Sequence, residues 1–141
     1  MNGFLLDTNV VSELAKAKPE PRVYSWFQKV DQNLCYLSVL TIGEIRKGIT
    51  LLPDTKRQVN IEAWLEKDLH VCFEGRILQI SEEISDRWGS LTGQAQVKRK
   101  LIPVIDGLIA ATAIHHNLTL VTRNTKDVDG TGVIVFNPWN D

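Results

Sequence analysis

Short apolar runs alternate along this chain with longer segments in which apolar residues recur every three or four positions. Short runs bounded by turn-forming residues are typical of buried strands, whereas the longer periodicity is typical of amphipathic helices. The predicted strands are residues 3–6, 34–37, 76–80, 118–122 and 133–136.

Capping residues and prolines set the bounds of the predicted helices. Ser38 is a favourable N-cap, and the Pro53-Asp54 pair ends the helix that Ser38 begins. Asn117 tolerates the left-handed conformation in which many helices end. The predicted helices are residues 10–17, 21–30, 38–52, 54–69, 81–96 and 103–117.

The alternation of strands and helices predicts an α/β fold in one domain, residues 1–141, with a central, mainly parallel sheet flanked by helices. Parallel strands place their carboxyl ends at one edge of the sheet, and ligands bind in the crevice beyond that edge. Polar residues that follow the predicted strands are therefore the first candidates for a functional site.

Composition narrows the class of protein. The 141 residues carry a formal net charge of −1, so a surface for nucleic acid must be a local basic patch. Cys35 and Cys72 have neither zinc-site nor disulfide-framework spacing, and we expect both to be small buried side chains in a reducing compartment. No apolar stretch is long enough to span a bilayer, which favours a soluble cytoplasmic domain without a membrane partner.

Two acids stand where the pattern favours apolar residues. Asp7 closes the first strand and is expected to point into the crevice, although the run Asp-Thr-Asn also suits a simple helix cap. Glu44 lies on the border of the apolar face of its helix, where an unpaired carboxylate is costly. The alternative for Glu44 is an exposed ion pair with Arg46 or Lys47.

Two glycines and a third acid extend this pattern. Gly43 and Gly48 each weaken a helix by roughly 1 kcal/mol relative to alanine, which suggests that another group approaches closely there. Asp106 lies in the first turn of a helix whose other members are nearly all apolar. The helix dipole favours an acid in that turn, but a buried acid also needs a counter-charge, so we interpret Asp106 as functional.

Asn124 and Asp127 follow the fourth predicted strand, in the same crevice, although a solvated turn explains this loop equally well. Carboxylates gathered in one crevice repel one another unless divalent cations neutralise them. Oxygen ligands suit Mg²⁺ or Mn²⁺, which can activate water for attack on a phosphodiester. The sequence contains no G-x-S-x-G, H-E-x-x-H, P-loop or dinucleotide-binding motif.

Four segments carry a resemblance to a known family: LLDTNVVSEL, LTIGEIRKGI, PVIDGLIAATAIHHNLTLVTRNTKDV and the closing FNPW. Over essentially its whole length the chain resembles PIN-domain nucleases, and among them the VapC and FitB group of bacterial toxin-antitoxin ribonucleases. The resemblance implies a PIN fold, Mg²⁺- or Mn²⁺-dependent cleavage of RNA, a homodimer, and inhibition by a cognate antitoxin protein.

The resemblance also implies roles for residues. Asp7, Glu44 and Asp106 match the family's three acidic metal-site residues. Asn124 stands where many members carry a fourth acid, so a second metal ion would be held less tightly. Asp127 matches the acid of the family's N-x-x-D-F stretch, but a valine here replaces the phenylalanine.

On this basis Asp7, Glu44, Asp106 and Asp127 are predicted to be catalytic, and the same four acids with Asn124 to form the metal site. Thr8 or Thr122 would orient a carboxylate or water. Five basic residues are candidates for contacts with RNA phosphates, although solvated loops and a helix end explain them too: Lys98, Arg99, Lys100, Arg123 and Lys126. The four tryptophans are expected in the core or in dimer contacts rather than stacked on bases.

Three other classes of protein gather acids or bind RNA in a similar way. A signalling receiver domain needs an aspartate on a middle strand, and a haloacid-dehalogenase phosphatase needs Asp-x-Asp after the first strand; this chain has neither. A PIN-like module that binds RNA without cutting it stays open, because Asn124 replaces an acid.

Overall fold

Five short strands, all parallel to their neighbours, form one sheet in the order β3-β2-β1-β4-β5. The computed structural model describes residues 2–140. The strands are β1 (Phe4–Leu6), β2 (Cys35–Ser38), β3 (Ile77–Leu78), β4 (Thr119–Val121) and β5 (Val135–Phe136). The predicted parallel sheet is confirmed, and β1 lies at its centre.

Helices fill the connections between the strands. They are α1 (Thr8–Leu14), α2 (Pro21–Lys29), α3 (Val39–Thr50), α4 (Thr55–Ala63), α5 (His70–Cys72), α6 (Glu82–Val97) and α7 (Val104–His115). Short 3-10 helices cover Gln32–Leu34 and Thr125–Val128, and a π-helical segment, Trp64–Leu69, joins α4 to α5. No helix within residues 2–140 is both long and apolar enough to cross a membrane.

Three element bounds differ from the prediction for physical reasons. The first helix begins at Thr8 rather than at residue 10, because the Asp7 side chain accepts a hydrogen bond from the Thr8 amide. The helix predicted over residues 54–69 continues to Cys72 through the π segment. The strand predicted over residues 76–80 shortens to Ile77–Leu78, which pairs only with β2 at the edge of the sheet.

Adjacent residues of each central strand enter opposite cores. Leu6 and Val121 belong to one cluster, together with buried residues of α1, α2, α3 and the π segment. Leu5 and Leu120 belong to a second cluster, which packs beneath α7. Because side chains alternate along a strand, helices on both faces are needed to bury both sets, as in parallel sheets generally.

Three of the four tryptophans lie in or against the first of these cores, as expected. Trp139 is buried in that cluster, and Trp26 and Trp64 pack against it. Trp88 on α6 packs closely against Gly107 of α7, where an added Cβ would lie 3.0 Å from the indole ring.

One expectation is wrong, and a second is not met by any group of this chain. Cys35 is buried, but Cys72 is exposed because it ends α5 at the rim of the molecule. A side-chain Cβ at Gly43 or Gly48 would meet no atom within 4 Å in the described chain, so no group of this chain approaches either glycine. Asn117 does adopt the predicted left-handed conformation, with φ of 55°.

Gly3 is the glycine that the fold requires. A Cβ at Gly3 would lie 2.3 Å from the Leu34 carbonyl oxygen, a backbone atom that cannot move without disturbing the start of β2. We therefore expect Gly3→Ala to lower the free energy of unfolding by about 1–3 kcal/mol through overpacking. In contrast, Gly43→Ala should raise it by up to about 1 kcal/mol through helix propensity. Urea unfolding followed by circular dichroism measures both, and equal effects of the two substitutions would contradict this packing.

Candidate metal centre at the carboxyl end of the sheet

Asp7 places a carboxylate at the carboxyl end of the central strand. Its side chain is only 7% exposed. One carboxylate oxygen accepts the Thr8 amide at 2.8 Å, and the other accepts the Thr122 hydroxyl at 2.8 Å. Burial raises the pKa of Asp7 above its usual range, against the opposing effect of these two hydrogen bonds. Both interpretations of the Asp-Thr-Asn run are thus correct, since Asp7 caps α1 and also faces the crevice.

The hydrogen bond between Asp7 and Thr122 spans the point where the strand order reverses. Asp7 follows β1 and Thr122 follows β4, and these strands are parallel neighbours. From β1 the sheet continues through β2 to β3 on one side, and through β4 to β5 on the other. The helices that connect the strands diverge at such a point and leave a crevice, which is the usual ligand site of an open parallel sheet.

Glu44 reaches the same crevice from α3. The Thr8 hydroxyl donates a hydrogen bond of 2.5 Å to Glu44 and lies 3.2 Å from the hydroxyl of the buried Thr41. The alternative pairing with Arg46 is excluded, because Arg46 pairs with Glu62 and Glu66 instead. Thr8 therefore orients an acid, as predicted, and the acid is Glu44.

Asp106 enters from the first turn of α7. Its pKa rises to about 6, first through burial and then through the negative charges of Asp7, Asp127 and Glu44. Since charges act strongly only over short distances, these four acids share one electrostatic environment. The structure thus joins Asp7 and Glu44 through Thr8 and links Asp106 and Asp127 to them by charge, while a shared metal-binding role for the four stays a prediction.

The loop after β4 contributes the remaining candidates. Asn124 and Asp127 are both exposed, and Asp127 lies in the 3-10 helix that follows Asn124. The backbone amide of Asn124 donates a hydrogen bond of 3.0 Å to the Thr122 hydroxyl, which connects the loop to the end of the strand. The charge of Asp127 adds to the larger effect of burial in raising the pKa of Asp7.

The donors at this edge are all oxygens. Within residues 2–140, no group of three or more histidine, cysteine or acidic side chains lies close enough together to hold a metal ion. Mg²⁺ usually keeps several waters and binds through only one or two carboxylates. Oxygen donors beside Asp7 and Asp106, whose pKa values are raised, suit such an ion better than they suit zinc or a calcium cage.

The basic residues predicted to contact RNA differ in their position relative to the acids. Lys98 and Arg99 lie exposed in the turn after α6, and no described contact ties them to the four acids. Lys100 forms an ion pair of 3.2 Å with Asp129. Arg123 and Lys126 are exposed in the loop beside the acids.

The prediction missed the role of Asn9. Its side-chain amide donates to Asp7 at 3.4 Å and to the Thr122 hydroxyl at 3.2 Å, while its carbonyl oxygen accepts the Arg123 amide at 3.2 Å. Asn9 thus links α1 to the loop after β4. Its place in the Asp-Thr-Asn run was the available signal, but cap residues are so common there that the contact could not be inferred.

Comparison with known proteins gives a consistent result. Residues 4–129 match the family model described as PIN domain. The chain is 39% identical to Toxin FitB of Neisseria gonorrhoeae, over 97% of this chain and 99% of that protein. It is 36% identical to VapC ribonuclease Y4jK of Sinorhizobium fredii, over 96% of each chain.

Solved structures share the fold along the whole chain. The crystal structure of FitAcB from Neisseria gonorrhoeae superposes with a TM-score of 0.92 at 38% identity, and the match covers 98% of this chain and 99% of the other. A toxin-antitoxin complex from Klebsiella pneumoniae superposes with a TM-score of 0.69 at 25% identity, covering 96% and 98%.

The raised pKa of Asp106, caused first by burial and then by the neighbouring acids, yields a stability prediction with a defined sign. Because folding raises the pKa of Asp106 from 3.8 to about 6, the folded chain holds this proton more tightly than the unfolded chain does. The ionised side chain is therefore unfavourable, and stability is lost as the pH rises from about 4 to about 6. In EDTA at pH 7.5, Asp106→Asn should raise the free energy of unfolding by about 1 kcal/mol, a value reduced for the partial exposure of the group.

Urea unfolding of the wild type and the variant at pH 4 and pH 7.5 checks this sign. The difference between the two proteins should be small at pH 4 and fully developed at pH 7.5. A variant that is less stable than the wild type at pH 7.5 would show that Asp106 is held by favourable contacts rather than strained by its neighbours.

Proposed function

The chain belongs to the PIN domain family, and from that premise we propose that it is a metal-dependent endoribonuclease toxin that a cognate antitoxin neutralises. The observation that carries this proposal is the shared electrostatic environment of Asp7, Glu44, Asp106 and Asp127. Relatives named as a toxin and as a ribonuclease match almost the entire chain, which supports the same activity.

We assign the metal site to these acids. Asp7 and Asp106 would hold Mg²⁺ or Mn²⁺ directly or through water, while Glu44 and Asp127 complete the negative charge and position water. When bound, such an ion lowers the pKa of a coordinated water and neutralises charge that develops on the phosphate. Asn124 adds an oxygen donor without charge, which favours one tightly held ion over two.

The polar neighbours of the acids fix their orientation. Thr122 and the Thr8 amide each occupy one oxygen of Asp7, and the Thr8 hydroxyl holds Glu44. At neutral pH, Asp106 is ionised against three other acids, and a divalent cation relieves that repulsion. Preorganised side chains of this kind lower the reorganisation needed when the substrate phosphate arrives. No histidine is required as a base, because water is activated at the carboxylates.

RNA binding without cleavage is the second candidate. The uncharged Asn124 at the position of a possible fourth acid favours it, as does the finding that no group of three or more ligating side chains within residues 2–140 could hold a metal ion. The retention of Asp7, Glu44 and Asp106 in one crevice favours cleavage, since binding of RNA alone would be weakened by acids that repel phosphate.

The partners follow from the same family relation. We propose a homodimer, one PIN domain that comprises the whole chain, and a protein antitoxin, in keeping with the toxin-antitoxin complex that shares this fold. A cytoplasmic location accords with an RNA substrate.

Cleavage of RNA by the purified chain tests the proposed activity. With Mg²⁺ or Mn²⁺ we expect internal cuts in single-stranded or structured RNA, and EDTA should abolish them. Asp7→Asn and Asp106→Asn should each lower the rate by at least about 100-fold, because the metal loses a charged ligand. Glu74→Gln, the same chemical change at an exposed acid without a described side-chain hydrogen bond, should cleave like the wild type.

Three results would count against the proposal in different ways. Cleavage that survives both substitutions would place the chemistry elsewhere or in a contaminant. Loss of activity in Glu74→Gln would indicate a general effect of charge. Binding without cleavage across a broad panel of RNAs, with metal present and antitoxin removed, would favour the RNA-binding alternative.

A further inference from the structure

Two contacts orient Arg123 beside the acids. Its backbone amide donates to the Asn9 side chain at 3.2 Å. Its guanidinium carbon lies 5.1 Å from the centre of the Trp139 ring. The first contact fixes the backbone at the start of the loop, and the second orients the exposed side chain.

Trp139 forms a rigid platform for this guanidinium. The side chain is 7% exposed and belongs to the core cluster that includes Val10 and Val121. The turn that carries it is closed by a hydrogen bond of 2.9 Å from the Trp139 amide to the Asn137 side chain. A buried indole cannot follow a moving partner, so a guanidinium stacked on its face is preorganised.

The guanidinium retains donors for a ligand. The charge of Arg123 acts on Glu13, but both Glu13 oxygens are occupied, one by Lys16 at 3.0 Å and the other by the Glu20 amide at 3.0 Å. Within residues 2–140, no carboxylate forms an ion pair with Arg123. A fixed cation with unused donors next to a nuclease site suits a phosphate, which guanidinium binds through two parallel hydrogen bonds.

Two other arginines of the chain are already engaged. Arg46 binds two glutamates, and Arg76 donates to backbone carbonyl groups of Gln32, Cys35 and Cys72. Lys100 pairs with Asp129. Arg123 therefore differs from these cations in being oriented by an aromatic ring while its polar groups stay accessible.

Resting on the proposed ribonuclease function, we propose that Arg123 binds an RNA phosphate next to the one that is cleaved, and that Trp139 positions it. The Arg123 guanidinium lies over Trp139, which packs in the same cluster as Val10 of α1, and it forms no ion pair with Asp7, Glu44, Asp106 or Asp127. A contact there orients the strand across the acids without neutralising them. Arg123 is thus a substrate-binding residue, and Trp139 is a positioning residue.

Steady-state cleavage at several NaCl concentrations tests this assignment. Arg123→Gln should raise KM about tenfold, the loss expected for a charge-assisted hydrogen bond, and leave kcat close to the wild-type value. Loss of one phosphate contact should also make the dependence of log(kcat/KM) on log[NaCl] shallower by about 0.7. Trp139→Leu and the milder Trp139→Phe should raise KM less, with an unchanged salt slope, because the positive charge remains.

Arg57→Gln is the matched control, since Arg57 is an exposed arginine on α4. An equal change of slope in Arg57→Gln would overturn the assignment, because it would show a diffuse effect of charge. Unchanged KM and salt slope in Arg123→Gln would also overturn the assignment, even if the variant had a lower Tm. Arg123 would then only stabilise the C-terminal turn.

The design separates failure of the inference from failure of the proposed function. If the wild-type protein cleaves RNA and Arg123→Gln behaves identically, only the inference about Arg123 is contradicted. If the wild-type protein does not cleave RNA, the proposed function is contradicted. In that case, fluorescence anisotropy with labelled RNA tests the role of Arg123. Weaker binding and a shallower salt dependence in Arg123→Gln would support the inference, and unchanged binding would contradict it.

Discussion

The carboxylate of Asp7 lies almost without solvent at the carboxyl end of the central strand, and the rest of the site is arranged around it. A buried carboxylate is unfavourable unless hydrogen bonds and a counter-charge compensate. The chain supplies the hydrogen bonds from the Thr8 amide, the Thr122 hydroxyl and Asn9. It supplies further negative charge instead of a counter-charge, and that combination makes a divalent cation the natural complement of the site.

The opposing requirements of stability and function are separated in space. Apolar side chains fill both faces of the sheet, and the small residues Ala110 and Ala113 let α7 pack closely on the strands. That close packing brings Asp106, at the start of the same helix, to the edge where β1 and β4 end. The electrostatic repulsion is thus confined to one edge of a well-packed core, and the core offsets it.

The sequence allowed the broad architecture and the acids to be predicted, because both depend on local patterns. Apolar runs of three or four residues indicated the strands, and Asp7 and Asp106 were conspicuous because their neighbours are apolar. Local patterns do not predict contacts between segments that are distant in the sequence. Thr8 and Glu44, which share a hydrogen bond, are 36 positions apart, and Asn9 and Thr122 are 113 positions apart. Arg123 and Trp139, which lie in contact, are 16 positions apart. Only the folded chain shows these contacts. The exposure of Cys72 was likewise missed because it depends on where the π segment ends.

Direct titration of the metal-free chain with Mn²⁺, followed by electron paramagnetic resonance, tests most directly whether these carboxylates form a metal site. Free Mn²⁺ gives a strong signal that weakens on binding, so occupancy is measured without RNA and without catalysis. The account predicts saturable binding to the wild type and to Glu74→Gln, and its loss in Asp7→Asn, with Asp7→Asn still folded by circular dichroism. Undiminished binding to folded Asp7→Asn would contradict the account, because the ion would then be held by residues other than the buried carboxylate on which the site depends.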